Sequence, residues 1–168
     1  MANYFILVLP VYGQIGNNTI WDRTVDPPKV TKLHYVFDYF PESSLFQTFP
    51  IFIASQDLAD SLSAAAFSGI VFDKMEISAS ADFSKLYPGK FPPADHLLLR
   101  VQGLPLEHDF AQTQRPRLVV SKRALDFLEK HGVRDFLKYD AENPPTSKQI
   151  EDDLFQATKD AFRKGGAH

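Results

Sequence analysis

Short apolar runs alternate with turn-forming residues along the chain, a pattern typical of a protein rich in β-strands. The runs contain many β-branched and aromatic residues, which favour strands. Two intervening segments, GQIGNN (13–18) and PESSLFQTFP (41–50), are rich in turn-forming residues and predict loops. The second loop would carry exposed aromatic side chains. The predicted strands cover residues 3–9, 29–40, 51–55, 69–78, 96–101 and 118–120.

Two helices are predicted directly after apolar strands, and each begins at a serine whose hydroxyl can cap the first turn. Ser55 precedes the first helix, and Gly69 ends that unit. Ser121 precedes the second helix, and Gly132 is its predicted stop. The apolar stripe of the first helix consists of Leu58, Leu62, Ala65 and Ala66, at the spacing of one buried helical face.

The two strand–helix segments resemble each other. Setting Ser55 on Ser121 places Asp60 on Asp126 and Leu62 on Leu128. Each helix is followed by an apolar segment with acids, GIVFDKME in one case and GVRDFLKYD in the other. The pattern predicts two related strand–helix–strand units packed in layers, with chance similarity as the competing explanation.

A further helix is predicted over residues 147–164. Thr146 and Gln149 have the spacing of a capping box, and acids begin the helix while bases end it, as the helix dipole favours. Its predicted core stripe is Ile150, Leu154, Ala157 and Ala161, with Phe155 and Phe162 as a second apolar line. Together the elements predict an α+β fold in a single domain spanning 1–168, with a mixed or mostly antiparallel sheet and about three helices.

Composition narrows the function classes. Apolar residues make up 44% of the chain and charged residues 23%, which is typical of a globular protein. The absence of cysteine excludes disulfides, cysteine-based zinc sites and thiol nucleophiles. A net charge of −3 without a basic cluster disfavours direct nucleic-acid binding. No apolar run is long enough to cross a membrane, and residues 1–13 lack the basic start of a signal peptide, so a cytoplasmic location is predicted.

The candidate chemistry is sparse. Asp73 and Glu76 are three apart in a predicted strand, so they would lie on opposite faces and could not share a proton or a metal. The segment Glu107–Asp109 could ligate a metal only through a special turn, and a solvated loop is the simpler interpretation. Ser55 and Ser121 lack the small flanking residues of a nucleophile elbow. No catalytic residue, cofactor or metal is therefore predicted.

The region 51–140 resembles a bacterial immunity-protein family. The resemblance rests on the order FIASQDLADSL, SGIVFDKMEIS, FSKLYPGKFPPADHLLLRV, DFAQ and RLVVSKRALDFLEKHG. Members of that family accompany polymorphic toxins and secretion-delivered effectors, including those of type VI secretion. The resemblance implies a protein that binds and neutralises a cognate toxin and is not itself an enzyme. A cytoplasmic address favours a toxin that acts on DNA, RNA or a nucleotide cofactor, with a nuclease as the leading expectation.

A nuclease active site is basic, so the inhibitor is expected to offer carboxylates for steering and aromatic side chains as anchors. Each candidate also has a structural interpretation, as core or as a helix-dipole partner. The aromatic candidates are Trp21, Phe46, Phe49, Phe155 and Phe162. The acidic candidates are Asp57, Asp60, Glu107, Asp109, Glu151, Asp152 and Asp153.

Two other functions compete with toxin inhibition. A small-ligand or enzymatic domain would use a cleft between the two strand–helix units, where pockets commonly form. An adaptor or chaperone of an effector would share the partner without inhibiting it.

Overall fold

The computed structural model describes residues 3–165, in which thirteen strands and four helices are found. The strands are β1 Tyr4–Val8, β2 Gly13–Ile15, β3 Ile20–Asp22, β4 Lys29–Lys32, β5 His34–Phe37, β6 Leu45–Thr48, β7 Ile51–Ser55, β8 Ile70–Asp73, β9 Glu76–Ala79, β10 His96–Val101, β11 Phe110–Gln112, β12 Leu118–Ser121 and β13 Leu137–Asp140. The helices are α1 Gln56–Ala64, α2 Ala81–Leu86, α3 Lys122–Lys130 and α4 Ser147–Gly165. The predicted α+β class with mostly antiparallel pairing is confirmed.

Two four-stranded sheets share one topology. The first has the order β6-β7-β10-β8, and α1 connects β7 to β8. The second has the order β11-β12-β1-β13, and α3 connects β12 to β13. All neighbours within both sheets pair antiparallel. We call β6, β7, α1, β8 and β10 the first unit, and β11, β12, α3, β13 and β1 the second unit.

The duplication extends to the register. His96 of β10 lies opposite Ser55, and Tyr4 of β1 lies opposite Ser121 in the same way. On the other side of each central strand, β8 pairs with β10 in the same register as β13 pairs with β1. A constant step of 66 residues therefore carries Ser55 to Ser121 and Asp73 to Tyr139. The central strand follows the helix in the first unit, whereas in the second unit it comes from the beginning of the described chain.

The same step relates unusual backbone conformations. Ala66 has a φ of 55° and Gly69 a φ of 90°, and their counterparts Gly132 and Asp135 have φ values of 83° and 60°. All four lie in the left-handed region, which residues with a side chain seldom adopt. The two helix-to-strand connections therefore follow the same path, which supports two related units over chance similarity.

One apolar core joins the units, because both helices and one face of each sheet pack into it. Its buried residues include the corresponding pairs Phe52 and Leu118, Ala54 and Val120, Leu58 and Ala124, Leu62 and Leu128, and Phe67 and Val133. Burial of a side chain of this size stabilises a fold by roughly 1.5–3 kcal/mol. Each unit thus covers the apolar face of the other.

The outer faces of the two sheets are covered differently. On the first unit, Phe46, Ile53 and Leu98 are buried in a second core together with residues of β5 and α2. On the second unit the corresponding residues are Ala111, Val119 and Ile6, which form a smaller cluster. Helix α4 is joined to this cluster through Tyr139, whose hydroxyl donates a hydrogen bond of 2.6 Å to Asp153, and Ile150 in the first turns of α4 is buried.

Several predicted strands are wrong because local pattern does not specify pairing partners. Residues 29–40 contain two strands, of which β4 pairs with β3 while β5 pairs with β2 and β9. Residues 69–78 also contain two, since β8 belongs to the first sheet and β9 runs parallel to β5. The side chain of Asp73 accepts a hydrogen bond of 2.8 Å from the backbone N–H of Lys74 at the break between β8 and β9.

Two predicted loops contain strands. The segment 13–18 includes β2, and the segment 41–50 includes β6, an outer strand of the first sheet. Phe46 on β6 is completely buried instead of exposed. Proline at either end of a segment therefore did not prevent a short strand between them.

Two predicted helical stripes also change. Helix α1 ends at Ala64, so Ala66 lies beyond it and is exposed. In α4 the threonine half of the predicted capping box is confirmed, since the backbone N–H of Gln149 donates to the Thr146 hydroxyl. Only Ile150 of its predicted core stripe is buried, whereas Leu154, Ala157 and Ala161 are exposed. Helical spacing indicated that α4 is amphipathic, but it did not indicate how many residues of its apolar face are buried against the rest of the protein.

The two helix caps allow a matched comparison of the units. Ser55 and Ser121 each accept a hydrogen bond from the third residue after them, but Ser121 also donates one of 2.8 Å to Asp109. We expect Ser55→Ala to lower the free energy of unfolding by about 1 kcal/mol and Ser121→Ala by about 2 kcal/mol, because the second change also removes a hydrogen bond from a half-buried carboxylate. Urea unfolding measures both, and equal losses would contradict a structural role for the Asp109 contact.

Stability is expected to depend on pH through His96. Its imidazole packs against Phe37 and Phe46, and its Nδ1 has no hydrogen-bond partner among residues 3–165. Burial lowers the pKa of His96, although nearby Asp95 opposes the shift. The unfolded chain therefore binds a proton more readily, and the free energy of unfolding should fall as the pH drops below about 6.5. Urea midpoints between pH 5 and 8 should show a shallower slope for His96→Gln than for the unmodified chain, and identical slopes would exclude His96 as the source.

Candidate interaction surface

The aromatic candidates separate into exposed and buried groups. Phe49 is 57% exposed, and Phe155 and Phe162 on α4 are 66% and 83% exposed. Trp21 is partly buried against the second core, with the Arg23 guanidinium 4.7 Å from its ring centroid. The prediction for Phe46 is wrong, because a side chain with no exposed surface cannot contact a partner.

Phe49 lies on the rim of a groove that also includes α4. We call this the α4 groove and define it by Val11, Asp26, Phe49, Arg115, Arg117 and Leu154. It has a volume of about 570 Å³, and the ends of β1 and β6 form its floor. Val11 and Leu154 are exposed like Phe49, so three large apolar side chains border one cavity. Exposed apolar side chains around a groove are typical of a protein-binding surface.

Hairpin turns hold the groove in place. In the turn between β11 and β12, the backbone N–H of Thr113 donates to the carbonyl of Arg117, and the Thr113 hydroxyl donates to the carbonyl of Arg115. The buried side chain of Gln47, at the end of β6, donates to the carbonyl of Pro116 in the same turn. This side of the groove therefore rests on a turn that is closed by its own hydrogen bonds and joined to the first unit by one more.

The groove carries positive charge. Neither Arg115 nor Arg117 forms an ion pair among the residues that the structure describes, and Asp26 on the same rim pairs with neither. Arg117 also lies close enough to Tyr139 to oppose the rise in its phenol pKa. Burial and the adjacent Asp153 outweigh that effect and raise the pKa of Tyr139 to about 12.

The acidic candidates lie in three places. Glu151 and Asp152 are exposed in α4, whereas Asp153 is partly buried and accepts the hydrogen bond from Tyr139. Asp57 and Asp60 are exposed in α1, and Asp60 accepts a hydrogen bond from Gln56. The strand β7 separates α1 from the Phe49 turn, a distance of about 16 Å for a five-residue strand. The α1 acids and the α4 acids therefore lie in different parts of the molecule.

Glu107 and Asp109 differ although they are two residues apart. Glu107 is exposed in the loop before β11. Asp109 accepts hydrogen bonds from Ser68 and Ser121 and lies 3.5 Å from the guanidinium of Arg123. Burial alone would raise the pKa of Asp109, but these hydrogen bonds and the arginine outweigh burial and hold it below the usual range. Asp109 thus connects the segment after α1 to the start of α3.

Asp73 and Glu76 belong to separate networks. Asp73 forms an ion pair of 3.1 Å with Arg100, and hydrogen bonds from Arg100 and the Lys74 backbone hold the pKa of Asp73 below its usual value. Glu76 accepts a hydrogen bond from Asn18. The two acids share neither a strand nor a partner.

A smaller cavity of about 370 Å³ lies where the units meet and bears on the small-ligand alternative. Ser44, Ser55, His96 and Arg134 are among its lining residues. Across residues 3–165, the structure contains no group of three or more histidine, aspartate or glutamate side chains placed to hold a metal ion.

Of the six residues that define the α4 groove, the sequence pattern indicated only Phe49 as a surface contact, and Asp26 is among the five that it did not indicate. Leu154 was predicted to be core, and Val11, Arg115 and Arg117 were not considered. The motif RPR (115–117) in a turn before an apolar strand is the one local signal that indicates them. A basic pair in a proline turn is exposed on most surfaces, so the motif alone does not predict a groove.

Comparison with known proteins adds no assignment. No known protein family, curated protein or solved structure matches the chain. The resemblance of residues 51–140 to an immunity-protein family therefore stays a prediction. None of the helices in the described part of the chain is both long and apolar enough to span a membrane.

Proposed function

We propose that the protein is an immunity protein that binds and neutralises a cognate bacterial effector toxin in the cytoplasm. The observation that carries the proposal is the free face of α4. Beyond Ile150, Phe155 and Phe162 extend from the helix into solvent, and the exposed acids Glu151 and Asp152 precede them. Large exposed aromatic side chains on a helix are costly for a protein without a partner, because their apolar area stays in water.

The arrangement on α4 suits the recognition of a basic protein surface. Phe155 and Phe162 are seven residues apart and therefore lie on one face of the helix. Glu151 is four residues before Phe155, so a carboxylate and an aromatic ring are neighbours on the surface. Carboxylates speed association with a basic active site, and buried aromatic anchors supply most of the affinity. A nuclease toxin, whose active site binds phosphate, has the matching charge.

A small-ligand function is the main alternative, and the cavity where the units meet favours it. Arg134 there suits an anionic ligand, whereas His96 is largely buried, has a lowered pKa and forms a T-shaped contact with Phe37. An adaptor function would use the same α4 surface as the inhibitor. The small-ligand function therefore differs from toxin inhibition in the surface that it uses. The adaptor function differs in leaving the bound toxin active.

The proposal is tested by removing the two exposed α4 aromatics. Co-expression with the toxin-like product of the neighbouring reading frame should restore growth, and Phe155→Ala/Phe162→Ala should abolish that rescue. We expect the double variant to weaken toxin binding at least about 30-fold, corresponding to the 2 kcal/mol or more of hot-spot residues. Calorimetric titration of the purified proteins measures this loss.

The control is Phe91→Ala, because Phe91 is 87% exposed and lies outside α4 and the groove. It should leave both rescue and binding unchanged, and circular dichroism should show that all variants are folded. Full rescue by the α4 double variant would overturn the assigned surface. A stable complex in which the toxin stays fully active would instead favour the adaptor.

A further inference from the structure

The α4 groove has a counterpart in the first unit. A cavity of about 370 Å³ lies along β10, and we call it the β10 groove. The step of 66 residues carries Pro50 and Ile51 of the β10 groove to Pro116 and Arg117 of the α4 groove. The central strands β10 and β1 contribute equivalent positions to the two grooves. Gln112 of the second unit lines the β10 groove, and its counterpart Gln47 of the first unit lines the α4 groove. The duplicated fold thus creates the same groove twice.

The chain itself supplies a segment to the β10 groove. Residues 25–30 lead into β4 and include its first two residues. They contribute Val25, Pro27, Pro28, Lys29 and Val30 to the lining of the groove. The guanidinium of Arg100 holds this segment by donating hydrogen bonds of 2.7 Å and 2.8 Å to the carbonyls of Val30 and Thr31. In this groove, an arginine therefore holds an apolar segment by donating hydrogen bonds to the backbone carbonyl oxygens of that segment.

The α4 groove is built from corresponding strand positions, although its arginines do not occupy the position of Arg100. It receives no corresponding segment from residues 3–165. Only Asp26 of the 25–30 segment reaches its rim. Its arginines, Arg115 and Arg117, have donors available for oxygen atoms, and Val11, Phe49 and Leu154 offer apolar contact. Planar guanidinium groups bind carboxylates through paired hydrogen bonds, so the chemistry that fits is a carboxylate next to apolar side chains.

We propose that the α4 groove binds an extended segment of a partner protein that carries an acidic residue between apolar ones. The carboxylate pairs with Arg115 and Arg117, and the apolar side chains contact Val11, Phe49 and Leu154. The groove prefers a negatively charged residue, whereas the acids of α4 prefer a positively charged surface. The two surfaces therefore recognise different parts of a partner. It does not require the partner to be a toxin.

The test uses the segment in the β10 groove as a template for the probe. A terminally blocked hexapeptide copying residues 25–30, with asparagine in place of Asp26 and glutamate in place of Lys29, is titrated to about 5 mM into the ¹⁵N-labelled full chain. Contacts of this size give dissociation constants on the order of 1 mM. Amide shifts should change at Val11, Phe49 and Arg117. The same blocked peptide with lysine in place of the glutamate has no carboxylate, and it should bind at least five-fold more weakly.

Two variants show whether the arginines decide this preference. Arg115→Glu/Arg117→Glu should reverse it toward the lysine peptide, while Arg115→Gln/Arg117→Gln, which is milder if the first does not fold, should abolish it. Arg134→Glu is the matched control, since Arg134 is exposed but lies outside the groove, and it should leave the preference unchanged.

Three results would overturn the proposal: no shift changes at 5 mM peptide, changes confined to other residues, or equal affinity for both peptides. Tighter binding of a six-nucleotide DNA strand at the same residues would also overturn it, in favour of nucleic acid. The readout is independent of α4 aromatics, so peptide binding that persists in Phe155→Ala/Phe162→Ala separates this proposal from toxin neutralisation.

Discussion

The apolar core shared by the two units is the constraint on which the rest of the structure depends. Each sheet has an inner face that its own helix covers only in part, and the missing cover comes from the other unit. Leu58 and Leu62 on α1 and Leu128 on α3 pack into the same cluster. Because the stabilisation comes from area removed from water, neither unit would keep its inner face dry alone. The pairing of the units therefore fixes the positions of both grooves.

The order of the chain makes the units interdependent. The central strand of the second unit is β1, so that unit is complete only when strands from the two ends of the described chain meet. Polar contacts reinforce the junction, where the backbone N–H of Ser44 donates to the carbonyl of Gly132 and that of Phe110 to the carbonyl of Ser68. Asp109 adds a charged connection between the segment after α1 and the cap of α3. Such long-range contacts make one cooperative structure out of two similar halves.

The two four-stranded sheets share one topology, but their different coverings leave one side of the molecule open. The outer face of the first sheet is buried under β5 and α2, whereas α4 covers the second face only at its beginning. The exposed end of α4 and the α4 groove both follow from this asymmetry. Their charges differ in sign, with carboxylates on the helix and arginines in the groove. A partner that contacts both would have to present both signs, which is a source of specificity.

The sequence by itself determined the local features of this protein. The caps at Ser55 and Ser121 and the helices after them depend on interactions within a few residues, so they could be predicted. The similarity of the two segments, with Leu62 matching Leu128, could also be read from the sequence. The exposure of Phe155 and Phe162 was compatible with their position beside the predicted stripe of α4. The pattern also indicated the α+β class, since short apolar runs and capped helices alternate along the chain.

Only the tertiary structure decided which segments pair and what remains uncovered. Residues 29–40 and 69–78 each read as one strand because alternation is the same whichever sheet a strand joins. Phe46 was placed on the surface because burial depends on contacts with β5 and His96, which are distant in sequence. The α4 groove is built from the ends of β1, β6 and β12 and from one turn of α4. No local sequence pattern predicts that these segments come together, because their proximity results from packing two units around one core.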